Sequence, residues 1–312
     1  MEELLRRFLP IFLLMAIGFA AKQKKLFSDT VIEGLKSLII KIALPAVLFD
    51  AFSTMTLQVS YLWLFLIVFL YCGLLYVLGN GLHRLFPRTF DRGYTKGYMT
   101  GFEFGMIGVG LFGAIWGMDK LPVIILIAFG HELFIWFFYV PLISRSADGS
   151  FRFRETAGQL LKMPTIIAII LGVAVNLTGV RHWIEGNVVG QSIFAVIDFL
   201  KPVVSPLILI VIGYTMVFRR TDLKKTAAYI LSRIGLVLGL GFAALKAVTG
   251  LLPALDTAVF TQAFFAFILL PAPYILPLYI RDRGEADFFT QLLVYSTVVS
   301  LAGYGILIAL SF

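Results

Sequence analysis

Residues 93–117 read GYTKGYMTGFEFGMIGVGLFGAIWG, a stretch apolar enough for a bilayer that nevertheless carries eight glycines and one carboxylate, Glu103. Such a segment does not read as a simple spanning helix. Each Gly in a helix interior costs roughly 1 kcal/mol relative to Ala, and an acidic residue at bilayer depth costs ~2.5–3.5 kcal/mol on insertion scales. Residues 267–280, FILLPAPYILPLYI, are equally apolar and are interrupted by Pro271, Pro273 and Pro277. One interrupted hydrophobic segment in each half of a chain is the sequence pointer to a solute site within a membrane. The candidate substrate-binding residues are therefore Glu103, Gly105, Gly108 and Gly110 in the first segment, and Pro271, Pro273, Tyr274 and Pro277 in the second.

Composition agrees with a membrane setting. Of 312 residues, 60% are hydrophobic and 14% charged, and the mean hydropathy is +0.94, far from a soluble globular chain. A spanning helix needs ~20 predominantly apolar residues. Ten such stretches can be drawn, at 4–22, 35–53, 60–80, 95–117, 121–144, 161–179, 189–218, 226–250, 257–279 and 288–310. They leave no room for a soluble domain. The one cysteine, Cys72, lies in an apolar run and rules out a disulfide within one chain. The apolar run after Arg6 and Arg7 imitates a signal peptide, but it has a counterpart later in the chain.

Basic residues orient the spans. Loops after spans one, three, five, seven and nine hold seventeen Lys and Arg residues, including Lys22, Lys24, Lys25, Arg84, Arg88, Arg92, Arg145, Arg152 and Arg154, against four (Arg6, Arg7, Lys120 and Arg181) on the other side. The positive-inside rule makes the odd loops cytoplasmic and both termini extracytoplasmic. This distribution also accounts for the net charge of +8 without any nucleic acid partner.

An internal repeat underlies the count. PIFLLMAIG in span one places Pro10 and Gly18 at the same interval as Pro164 and Gly172 in PTIIAIILG of span six. Spans two and seven each centre on a proline, Pro45 and Pro206, and the interrupted spans four and nine follow in the same order. With five spans per copy, the second copy, 161–312, is inverted relative to the first, 1–160, as in secondary transporters.

The ordered set LPIFLLMAIGFAAKQKKLFS, LIIKIALPAVLFDAF, MPTIIAIILGVAVNLTGV, VVSPLILIVIGYTM, LLPAPYILPLYI and LLVYSTVVSL resembles the auxin efflux carrier family, which belongs with the bile-acid symporter and sodium–proton antiporter folds. The likeness covers nearly the whole chain. It implies an all-α membrane protein of ten transmembrane helices in two inverted five-helix repeats, with crossed broken helices four and nine. It also implies a scaffold of spans one, two, six and seven that often forms a homodimer, and a moving transport domain of spans three to five and eight to ten. Two departures stand out. The family has Asn-x-Gly-x-x-Gly-x-Pro in span four, where this chain has Glu103 at the Asn position and Gly110 at the Pro position; in span nine, Tyr274, Ile275 and Leu276 stand where the family often has an Asn.

The residues are open to plainer readings. Gly93, Gly97, Gly101 and Gly105 recur every fourth residue and can serve close helix packing, whereas Gly105, Gly108, Gly110 and Gly113 are denser than packing requires and mark the expected break. Glu103 is either a hydrogen-bonded buried acid or an ion-coupling group, since desolvation favours the protonated carboxyl. His131 and Glu132, midway along span five, are the other ion-coupling candidates; a single helix histidine more often satisfies a core contact. Lys41, Asp50, Asp198, Lys201, Arg233 and Lys246 are further intramembrane charges without an assigned role. The three histidines, His83, His131 and His182, have no metal-ligand spacing, and no metal or cofactor is expected.

The function expected is secondary active transport of a small organic solute, an organic acid first, by an elevator-type alternating-access mechanism in the cell (inner or plasma) membrane, coupled to protons through Glu103 or to sodium. The alternatives are a carrier of an amine or cationic solute and a passive channel or solute sensor on the same fold. The absence of a Gly-x4-Gly-Lys-Ser/Thr loop points to an ion or solute gradient as the energy source. No Ser/His or paired-Asp arrangement recommends an intramembrane enzyme.

Overall fold

A computed structural model describes residues 2–91, 93–143, 158 and 162–311. The boundary drawn between the two halves at 160/161, and the loop residues Arg92, Arg145, Arg152 and Arg154, lie outside them. The helices run in order α1 (Glu2–Gln23), α2 (Asp29–Leu38), α3 (Leu44–Thr54), α4 (Tyr61–Leu85), α5 (Thr95–Met99), α6 (Val109–Trp116), α7 (Leu121–Phe134), α8 (Pro164–Thr178), α9 (Val180–Glu185), α10 (Val188–Thr215), α11 (Leu223–Leu251), α12 (Ala258–Ile268) and α13 (Arg283–Ser311). No strand occurs among the described residues. Among them, six stretches are long and apolar enough to cross a membrane: Tyr61–Leu85, Thr95–Trp116, Met118–Ile143, Val188–Thr215, Leu223–Leu251 and Arg283–Leu310, of which Thr95–Trp116 is interrupted at residues 100–103. Leu9–Gln23, Pro164–Thr178 and Ala258–Ile268 are apolar but shorter. Wider π turns at Ile39–Ala43 and Phe104–Gly108 precede α3 and α6 respectively.

The chain forms two compact units. The first comprises Met1–Gln58, Gly105–Ile125 and Gly158–Met216, and the second Val59–Phe104, Leu126–Ala157 and Val217–Phe312. Span four is thus divided between them at Phe104 and Gly105.

Within the first unit, helix contact rests on glycine, as expected where surrounding lipid removes the hydrophobic drive and close van der Waals approach must hold helices together. A Cβ on Gly18 of α1 would sit 2.0 Å from the Ile210 carbonyl oxygen of α10, and one on Gly213 of α10 would sit 2.0 Å from the Met15 carbonyl oxygen of α1. Gly172 of α8 makes the corresponding approach to α3, 2.7 Å from the Phe49 carbonyl oxygen. Asn176 of α8 then donates to the carbonyls of Phe52 and Met55 at 3.0 and 2.6 Å, satisfying orphan groups at the end of α3. Charges here pair with one another: Asp50 accepts from Arg181 at 2.9 Å and contacts Lys201 at 2.5 Å, and Lys201 also donates to Asp198 at 2.9 Å. A shallow cleft of about 390 Å³ beside this network is lined by Ser53, Asn176 and Arg181, groups that the neighbouring helices already engage.

The second unit is built around buried aromatic side chains. Tyr229 packs edge-on against Tyr98 and Phe289, and Tyr98 packs at a tilt against Phe289, with centroids 5.6–6.3 Å apart, among Met99, Leu276 and Leu292. The two tyrosine hydroxyls are satisfied: Tyr98 bonds Ser296 at 2.6 Å and Tyr229 bonds Thr95 at 2.8 Å. Tyr71 of α4 donates to the Val237 carbonyl of α11 at 2.9 Å, and Tyr304 of α13 to the Ala266 carbonyl of α12 at 2.7 Å. These long-range bonds fix α5 and α12, the two short helices that end at the site.

Candidate functional site

Two helices of the second unit stop inside it. α5 ends at Met99 and the chain is non-helical from Thr100 to Glu103; α12 ends at Ile268 and regular helix resumes only in the 3-10 turn Leu276–Tyr279. The interruptions occur where the residues require them. Gly101 adopts φ +75°, a conformation that costs other L-residues roughly 1–2 kcal/mol, and a Cβ there would lie 2.7 Å from the Pro273 ring and 2.8 Å from Ile135. Pro271 and Pro273 bring no N–H and cannot continue the α12 ladder.

The two interruptions meet. The Glu103 N–H donates to the Pro271 carbonyl at 2.9 Å, and the Glu103 carboxylate accepts the Tyr274 N–H at 2.8 Å. Tyr274 is held from its other end by a 2.6 Å bond between its hydroxyl and that of Thr297. Of the residues named from the sequence, Glu103, Pro271, Pro273 and Tyr274 are therefore brought together. Pro277 lies one turn further on, inside Leu276–Tyr279.

The freed backbone groups are taken by ionisable side chains. Arg233 of α11, buried to 5% exposure, donates to the carbonyls of Tyr98 at 2.6 Å, Gly101 at 2.7 Å and Leu270 at 3.3 Å. One guanidinium thereby serves the carbonyl ends of both α5 and α12, where a cation is favoured by the aligned peptide dipoles. Its flat faces lie near the rings of Tyr98 and Phe102, at 5.6 and 5.1 Å. His131, at 1% exposure, accepts the Phe102 N–H on Nε2 at 2.8 Å. That bond makes Nδ1 the donor of the ring; Nδ1 lies 3.3 Å from a Glu132 carboxylate oxygen, without the alignment of a hydrogen bond. The second Glu132 oxygen accepts the Trp136 indole N–H at 3.0 Å. In hydrocarbon an interrupted helix is tolerated only where its backbone is re-satisfied or lines a cavity. Here Glu103, His131 and Arg233 supply the partners.

The expected break at Gly105, Gly108 and Gly110 is helical instead, and the break lies upstream at Thr100–Glu103. These glycines fall in the first unit and Glu103 in the second. Gly110 is there for packing, since a Cβ on it would lie 2.6 Å from the Ile208 side chain, whereas Gly105 has open space around it. Arg233 is the site residue that sequence reading left without a role. The signal was an arginine in the middle of an apolar span, which is by default a functional candidate. Among the described residues no group of three or more His, Cys, Asp or Glu is placed to hold a metal ion.

Residues 4–158 match the sequence profile of the family described as membrane transport protein, which covers span four and its carboxylate. No curated protein matches the chain.

Proposed function

From the match of residues 4–158 to the membrane transport protein family, which contains the auxin efflux carriers, we propose that the chain is a secondary active carrier of a small organic solute, with its substrate site at the meeting of the two interrupted helices. The observation that carries this reading is the double bond pattern joining Glu103 to Pro271 and Tyr274. Two interruptions in apolar segments are each costly, and a carrier retains such a pair because irregular backbone at membrane depth offers polar groups to a solute.

In this reading the chain has ten spans in two inverted repeats, and both termini are extracytoplasmic in the cell (inner or plasma) membrane. The reciprocal packing of Gly18 with α10 and of Gly172 with α3 supports the repeat, because span one meets span seven as span six meets span two. Spans one, two, six and seven act as a fixed, dimerising scaffold while the unit carrying the crossing moves in alternating access. Glu103 links solute binding to protons: it is neutral when an anionic solute binds, or ionised and paired directly with a cationic one.

The test has two stages. A thermal-shift panel of organic acids, amines and sodium at two pH values identifies a stabilising solute, and counterflow of that solute is then measured in proteoliposomes. Saturable uptake accelerated by solute on the opposite side is expected. Linear, non-saturable flux would instead make the protein a passive channel, and binding without flux would make it a sensor.

A further inference from the structure

The second unit holds a cavity of about 840 Å³ between α11, α12 and α13, within the ~300–1,000 Å³ typical of small-molecule sites. Its wall is graded. Phe242, Ile306 and Leu310, at 57%, 64% and 82% exposure, form an apolar, open end, whereas Arg233, Ser296 and Ser300, all at 7% or less, form a buried polar end. α11 and α13 are both of membrane-spanning length and apolarity, and the open end lies on their apolar, exposed flank.

The polar end carries a cation with no carboxylate in direct contact. Among the described residues no carboxylate forms an ion pair with Arg233. Its bonds to Tyr98, Gly101 and Leu270 use three of five N–H donors. A guanidinium in a dry setting binds a carboxylate or phosphate strongly because its remaining donors and its charge act together. Ser300 adds a hydroxyl on the same wall.

We propose that this cavity binds a single-chain amphiphile with an anionic head, with the head against Arg233 and Ser300 and the hydrocarbon chain between Phe242 and Ile306. The occupant would bear directly on the crossing, because the same guanidinium holds the carbonyls of Gly101 and Leu270. The cavity shares Pro271 with the crossing, but neither Glu103 nor Tyr274 is in its wall, and the proposal stands whether or not their contact is the transport site.

The test uses the full chain in phosphatidylcholine nanodiscs and a dodecanoate probe with a diazirine at its terminal carbon. Photolabelling should concentrate on α11–α13 peptides around Phe242, Phe265 and Ile306, and saturate. Excess dodecanoate or dodecyl phosphate should displace it at least 10-fold better than the uncharged methyl dodecanoate, and the tighter of the two anions identifies the natural head. Ser300→Phe, which fills the cavity without touching the Arg233 bonds, should reduce labelling at least 10-fold. Arg233→Lys should retain labelling but weaken the preference for anions. Equal displacement by the methyl ester, or labelling unchanged in Ser300→Phe, would overturn the proposal. Neither readout depends on transport, so failure here is distinguishable from failure of the carrier reading.

Discussion

The carboxylate of Glu103 accepts the backbone N–H of Tyr274 at 2.8 Å while the Glu103 N–H donates to Pro271 at 2.9 Å, so one residue closes both sides of the contact between two interrupted helices 171 positions apart in sequence. Glu103 therefore has a structural duty and a chargeable group in the same place. Replacing it separates the two. Glu103→Leu removes the acceptor and leaves a half-buried N–H, at a cost of ~1–3 kcal/mol. Glu103→Gln keeps an acceptor oxygen and should melt within a degree or two of the parent, read by thermal unfolding in detergent.

Arg233 should be the most sensitive side chain in the second unit. Arg233→Leu strands the carbonyls of Tyr98, Gly101 and Leu270 at once, and each unsatisfied buried group costs ~1–3 kcal/mol. Arg233→Lys restores the charge but not the planar fork, so stability should fall in the order Arg, Lys, Leu. Size-exclusion profiles and melting temperatures of the three proteins check the order. Equal stability of the Leu variant would mean that other groups satisfy those carbonyls.

Gly101 and Gly105 should respond oppositely to the same change. Gly101→Ala combines a left-handed backbone with overlap against Pro273 and Ile135, for a loss of at least ~2 kcal/mol. Gly105→Ala adds a methyl group in open space within a helical segment and should be neutral or stabilising by up to ~1 kcal/mol. Paired melting curves decide the matter.

The difference between those glycines shows what the sequence could and could not reveal. That residues 93–117 and 267–280 are interrupted was legible, because Pro271 and Pro273 lack an N–H and glycine density in an apolar run is locally unfavourable. Where span four breaks was not. The run Gly105, Gly108, Gly110 and Gly113 looked like the weak point, yet Gly110 and Gly113 are small because Ile208, Met118 and Ser205 crowd them, a tertiary reason invisible in one dimension. Arg233 reaches carbonyls 37, 132 and 135 positions away, and His131 reaches Phe102. Their charge at membrane depth could be noticed; their partners could not.

The glycine contact between α1 and α10 should be intolerant of bulk. Gly18→Leu drives a side chain into the Ile210 carbonyl and the Tyr214 backbone nitrogen, where even a Cβ would lie at 2.0 and 2.8 Å. Overpacking of this kind costs upward of ~1–3 kcal/mol, here with backbone on the receiving side. Gly172→Leu meets the Phe49 backbone in the same way. Both variants should lose folded yield on expression, while Gly239→Leu, in open space on α11, should not.

The most direct test of a carrier site built on Glu103 is the pH dependence of solute binding and counterflow in Glu103→Gln, with the stabilising solute from the thermal-shift panel as ligand. The carrier account predicts a fold that is intact and a pH profile that is flatter than the parent's. Binding is retained if the solute is an anion, because Gln imitates the neutral acid, and abolished if it is a cation. Transport and a pH profile identical to the parent's would contradict the account and leave Glu103 as a structural clasp for Tyr274.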